Sequence, residues 1–203
     1  MVAVTLTHHQ GYFRQRLGAD GWQQEISAAY DVRQHCRELP ERATLYIAER
    51  LVQVRAWEFW VTGCNGYRLR VLLLDTAVSE NTEQDRRLTD HLYGGDETYR
   101  LSQEMVLGIG GVRMLRALNY HEVARFHMNE GHAALLGWEL LQERARWFHR
   151  DTFTQDDIIA IKRRCVFTTH TPVPAGHDRF PKELAVRLLG KDDLFRQAAV
   201  ARY

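Results

Sequence analysis

Cysteine is scarce in this chain: Cys36, Cys64 and Cys165 are odd in number, far apart and in no Cys-x-x-Cys pair. That argues against a disulfide framework or a zinc ribbon and fits a reducing compartment. An excess of charge of one sign is also lacking, since Lys+Arg 27 against Asp+Glu 26 leaves +1. No global field exists to hold nucleic acid or an anionic membrane. No apolar run approaches the length of a membrane span, and Met1 to Leu6 lacks the basic flank and long apolar stretch of a secretory signal. Internal repeats and low-complexity segments are absent. These absences read as a soluble cytoplasmic protein whose partner is neutral or locally recognised.

What is there is 203 residues, 45% of them apolar, enough for one substantial domain or a domain with a small appendage. Val2 to Leu6 reads as a buried strand that starts abruptly, with no leading turn or cap. From Thr44 to Thr76 the pattern is β-rich: Leu45 and Ile47, then Leu51 to Trp60 after Ala48-Glu49-Arg50, then Tyr67 to Leu74 after Gly63-Cys64-Asn65-Gly66. Short runs with such connections predict an antiparallel meander. Leu101, Met105, Ile109, Val112 and Leu115 fall at helical spacing and predict a long buried helix over Tyr99 to Leu118. Strand 123–126, a helix from about Gly131 to Phe148, a helix from Thr154 to Arg164 and strand 165–168 follow, an order that implies a parallel pair.

Each of those last two strands opens into a polar loop: Phe126-His127-Met128-Asn129-Glu130-Gly131-His132 and Thr168-Thr169-His170-Thr171-Pro172-Val173-Pro174-Ala175-Gly176-His177-Asp178. Ligands of open α/β sheets bind at the carboxyl ends of parallel strands. The two loops should therefore lie side by side, with Asn129, Glu130 and Thr171 supplying donors and acceptors suited to a polyhydroxylated ligand. His127, His132, His170 and His177 suggest metal ligands as a secondary reading, a metal-dependent hydrolase, but no pair has the i, i+4 spacing of a zincin helix. Gly108-Ile109-Gly110-Gly111 falls inside the helical period instead of between a strand and a helix, so it predicts close packing and not a phosphate loop. Tyr93-Gly94-Gly95-Asp96-Glu97 reads as a polar turn and helix cap. Tyr12, Phe13, Trp22 and Trp57 have faces on which a sugar could stack, though most such aromatics belong to cores.

Four segments, Gly11 to Arg16 with Asp20 to Gln23, Asp90 to Asp96 with Arg100 to Glu104, His127 to His132, and Thr168 to Asp178, together resemble the α-glucan (glycogen, starch or maltodextrin) phosphorylases, most closely their compact bacterial form. The resemblance runs in order to about Pro181. It implies an α/β fold: a partial Rossmann-like lobe of a glycosyltransferase-B architecture with an inserted antiparallel β-meander. Residues 1–181 would belong to the N-terminal, substrate-binding lobe and 182–203 to a truncated tail, with the C-terminal pyridoxal-phosphate lobe missing from this chain.

The activity implied is a hexosyltransferase reaction, phosphorolysis of an α-1,4-glucan by orthophosphate to glucose 1-phosphate, carried out when the missing lobe is present. A homo-oligomer is compatible with the complete enzyme. By motif position His170 would contact the reacting glucosyl unit, with Thr171 beside it. Glu130 and His132 would line the same pocket, oriented in part by Asn129. Asp96 would sit on a mobile gating loop and Arg100 would follow at its helix. Lys162, Lys182 and Lys191 stand outside the family's cofactor-lysine motif, so pyridoxal phosphate is expected to be anchored elsewhere and the isolated chain to be inactive. A non-catalytic glucan-binding remnant is the alternative from another functional class.

Overall fold

The computed structural model describes residues 1–11, 13–28, 30–92, 94–172 and 178–190. Strand β1 (Val2–Leu6) pairs in parallel with β6 (Arg68–Asp75), which continues antiparallel through β5 (Arg50–Thr62) to β4 (Arg37–Ile47), giving the order β1-β6-β5-β4. The predicted meander is thus present, with its first strand beginning seven residues earlier than the β-rich composition suggested. Ala48 and Glu49 join β4 to β5 with φ of 49° and 66°, both positive as the tight hairpin turn matching strand twist requires.

Alternation along β4 turns Leu39, Ala43, Leu45 and Ile47 inward, and Val52, Val54, Ala56, Leu72 and Leu74 meet them from the neighbouring strands. After the short helix α1 (Glu83–Arg86), the long helix lies against this face, formed by α2 (Glu97–Met105), a π turn over Val106–Gly110, and α3 (Gly111–Ala117). The glycines inside it are packing residues. A Cβ on Gly108 would stand 2.7 Å from the Leu136 amide nitrogen and 2.9 Å from the Leu135 carbonyl carbon, so this position admits the backbone of the next helix, α4 (Leu135–Trp147). Gly108→Ala should cost about 1–3 kcal/mol by overpacking despite alanine's better helix propensity. Urea unfolding measures this, and an unchanged or raised midpoint would show that the two helices separate freely.

Helix α5 (Gln155–Lys162) starts from a reciprocal capping box between Thr154 and Asp157. Strands β7 (Phe126–Asn129) and β8 (Cys165–Thr168) pair in parallel, with Phe126 opposite Cys165 and Asn129 opposite Thr168. Strand β7 begins three residues later than the apolar run implied. Its physical signal is alternation, with Phe126 and Met128 inward and His127 and Asn129 outward, whereas Ala124 and Arg125 lie on the surface. His127 and Asn129 consequently project from the strand itself.

A two-stranded antiparallel hairpin, β2 (Phe13–Leu17) with β3 (Gln23–Ser27), was not predicted. Its polar strands bury little, and Leu17 and Trp22 are exposed. Trp57 is buried and donates through its indole to Asp75, while Tyr12 lies outside the described residues. In the stretch read as a tail, α6 (Lys182–Leu189) buries Leu184 and Leu188 against the core, and the Leu188 carbonyl accepts the Ala48 amide at 2.8 Å. Among the described residues no helix is long and apolar enough to cross a membrane.

Candidate functional site

The carboxyl ends of β7 and β8 emerge side by side and are tied together by one carboxylate. Glu130 Oε1 accepts the backbone N–H of His170 at 3.1 Å and of Thr171 at 2.6 Å. In return the Glu130 amide donates to the Thr168 carbonyl at 2.8 Å. Glu130 has φ 58° and ψ −157°, a conformation unfavourable for a residue with a Cβ and one that tends to persist at functional sites. Hydrogen bonds from the Thr171 side chain and then from the His170 backbone hold its carboxyl well below the usual range, at about 2. Glu130 is therefore a fixed anion at neutral pH.

Asn129 Oδ1 accepts from His170 Nε2 at 2.7 Å, so the amide on β7 orients the imidazole on the neighbouring loop. His170 remains 58% exposed. His127 Nε2 lies 2.5 Å from Thr168 Oγ1, and His177 lies outside the described residues. Of the four histidines considered as a metal set, the three described ones, His127, His132 and His170, do not form a convergent group. Among the described residues the group of metal-ligating side chains that does converge is Glu104, His132 and Asp178.

Next to this junction is a concavity of about 840 Å³ lined by Asn129, Glu130, His132 and Thr171, with Arg100 and Glu104 from α2 and residues of β1 on other walls. His170 borders it through Asn129 and does not line it. Arg100 reaches it while ion-paired to Asp178. Asp96 caps α2, accepting the Tyr99 amide at 2.8 Å, and lines a separate concavity with Gly95 and Arg187.

Two further groups on the main concavity were not singled out from sequence. Glu104 is 8% exposed, and burial pushes its carboxyl up to about 7 against the opposing pull of Arg100. The signal was available: position 104 lies on the same helical face as Leu101 and Leu107, where a carboxylate is out of place. His8 has φ 48°, and its Nδ1 is buried without a hydrogen-bond partner among the described residues. Burial lowers its pKa. It lies two residues beyond the end of β1, and no local pattern marks it.

The combination can grip hydroxyl groups, hold a fixed negative charge beside a reacting centre and exclude part of the solvent. No family model matches the chain. It is 41% identical over 198 residues to a protein named glycogen phosphorylase from Mycobacterium tuberculosis, the match covering 92% of this chain and 22% of that relative. It is 35% identical over 189 residues to maltodextrin phosphorylase of Thermococcus litoralis, covering 89% and 22%. To glycogen phosphorylase of Aquifex aeolicus it is 30% identical over 193 residues, covering 89% and 26%. The chain thus spans between about a fifth and a quarter of the length of the curated relatives it matches.

Proposed function

We propose that this chain, homologous to a segment of the glycogen and maltodextrin phosphorylases, forms part of the substrate-binding lobe of an α-glucan phosphorylase. The lobe is read as a Rossmann-like portion of a glycosyltransferase-B fold carrying the meander, and the enzyme as cytoplasmic. The reaction is transfer of a terminal glucosyl unit from an α-1,4-glucan to orthophosphate. The bond from C1 to the glucan oxygen breaks, a bond from C1 to a phosphate oxygen forms, and the departing oxygen gains, in the net reaction, the proton that orthophosphate gives up.

The observation that carries this reading is the Glu130 carboxylate, bonded at once to the His170 and Thr171 amides across the β7–β8 junction. Positive charge develops at C1 in the oxocarbenium-like transition state, and preorganised negative charge nearby stabilises it without reorganisation. Asn129 sets the His170 ring against the reacting sugar, while His132 and Thr171 contact its hydroxyls. Arg100 supports this wall from α2, and Asp96 belongs to the segment that admits substrate.

Pyridoxal phosphate, the cofactor the resemblance implies, needs an amine for its Schiff base. Lys162 and Lys182 do not line the concavity, and Lys191 lies outside the described residues. The described residues do not fit the aldehyde anchor, and the reading assigns it to a part of the enzyme outside these 203 residues. The 203-residue chain alone is therefore expected to give no borohydride-stable pyridoxal adduct and no glucose 1-phosphate from maltodextrin and orthophosphate. Absorbance after trapping and a coupled phosphorolysis assay test both. A stable adduct or turnover by this chain alone would overturn the assignment to a partial lobe.

A further inference from the structure

We propose that Glu104, His132 and Asp178 form a binding site for one divalent transition-metal cation within the concavity. One ligand atom from each lies within 4.8 Å of the others, a spread that a single ion with bonds of about 2.0–2.4 Å can bridge. The three come from separate elements: α2, the short turn Gly131–Ala133 and the segment before α6. Their convergence is a product of the tertiary fold.

Glu104 supplies the independent sign of a ligand. The other buried carboxylates, Glu58, Asp75, Asp85, Glu130, Glu139 and Asp157, each accept hydrogen bonds from at least two other residues. Glu104 is only 8% exposed, faces the concavity and has no hydrogen bond among the described residues. Buried carboxylates without a partner are costly and uncommon, and coordination of a metal is one of the ways they are satisfied. Arg100, one turn earlier on the same helix, is paired with Asp178. It neutralises one of the two carboxylates, and a bound cation would hold the other, Glu104, in its ionised form.

The donor set selects the class of ion. Magnesium and calcium favour all-oxygen shells, whereas an imidazole with two carboxylates suits zinc or manganese. The site requires neither the glucan nor the cofactor.

Calorimetric titration of the tag-free 203-residue chain with Zn²⁺, and separately with Mn²⁺, is expected to show one site for at least one ion. Glu104→Gln, nearly identical in shape, should weaken it by at least about ten-fold, since even groups that merely orient metal ligands contribute that much. Asp178→Asn carries the same expectation and serves if the first variant does not fold. Glu97→Gln, on the exposed first turn of the same helix, should leave affinity unchanged. Absence of binding up to millimolar concentrations of both ions, or affinity within two-fold of the parent in Glu104→Gln, overturns the site. No glucan, phosphate or cofactor enters the titration, so its failure leaves the glucan reading standing.

Discussion

In a complete phosphorylase carrying this segment, His170→Ala is expected to lower turnover by roughly 30- to 1000-fold, about 2–4 kcal/mol, while the Michaelis constant for glucan changes little. The imidazole is read as touching the reacting sugar, whereas most glucan affinity comes from neighbouring sugar units. The lost interaction therefore belongs mainly to the transition state. Geometry makes the substitution informative. The His170 backbone N–H that binds Glu130 survives in alanine, so the loop stays tethered and only the ring is lost. Asn129→Ala releases the same ring from its 2.7 Å hydrogen bond and should produce a smaller loss of the same kind. Steady-state kinetics with maltodextrin and phosphate decide the matter. A raised Michaelis constant with unchanged turnover would make His170 a uniform binding residue and remove its catalytic assignment.

Asp75→Asn should lower folding stability by about 2–4 kcal/mol, less than the loss of one member of a fully dry ion pair because two of its partners reach solvent. Asp75 ends β6 with no exposure. It accepts from His9 at 2.9 Å, from Arg55, Trp57 and the Ala77 amide at 2.8 Å, and from Thr89 at 3.3 Å. Asparagine would turn an N–H₂ group toward these donors and leave the Arg55 charge without its buried partner. Since His9 follows β1 and His8 lines the concavity, the same contact braces one wall of the site.

The effect carries a pH signature. Burial alone would raise the Asp75 pKa, but hydrogen bonds from His9, Trp57 and Ala77 hold it well below its ordinary 3.8. The hydrogen bond to Asp75 raises His9 above 6.5, against burial. Stability from Asp75 is present above pH 3.8 and is lost as pH falls through its depressed folded value. Stability from His9 is complete below 6.5 and is lost as pH rises through its raised folded value. The gap between parent and variant should be widest between about pH 4 and 6.5 and narrow on either side. Urea denaturation across pH measures it, and a gap under about 0.5 kcal/mol or independent of pH would remove Asp75 from this role.

Local periodicity made much of the fold legible. The meander, the long helix with its internal glycines, and β8 over 165–168 follow from patterns that say which face is buried, and burial dominates the energetics of each element. β7 was displaced because an apolar run resembles a strand, while the strand that forms is the alternating one. The β2–β3 hairpin escaped because polar strands held by backbone hydrogen bonds carry little hydrophobic signal.

At the site, the order strand, helix, strand already brought the two polar loops to one sheet edge, and the structure places them there through Glu130. The sequence alone determined that these loops would meet, because parallel pairing is a consequence of connection and handedness. It could not determine which side chain would satisfy which. Asp75 meets His9 across 66 positions and Glu130 meets His170 across 40, and Glu104 has no hydrogen bond among the described residues because of what happens to face it. Only tertiary structure decides such matches, since the cost of a buried charge depends on the direction and distance of groups brought in from remote parts of the chain.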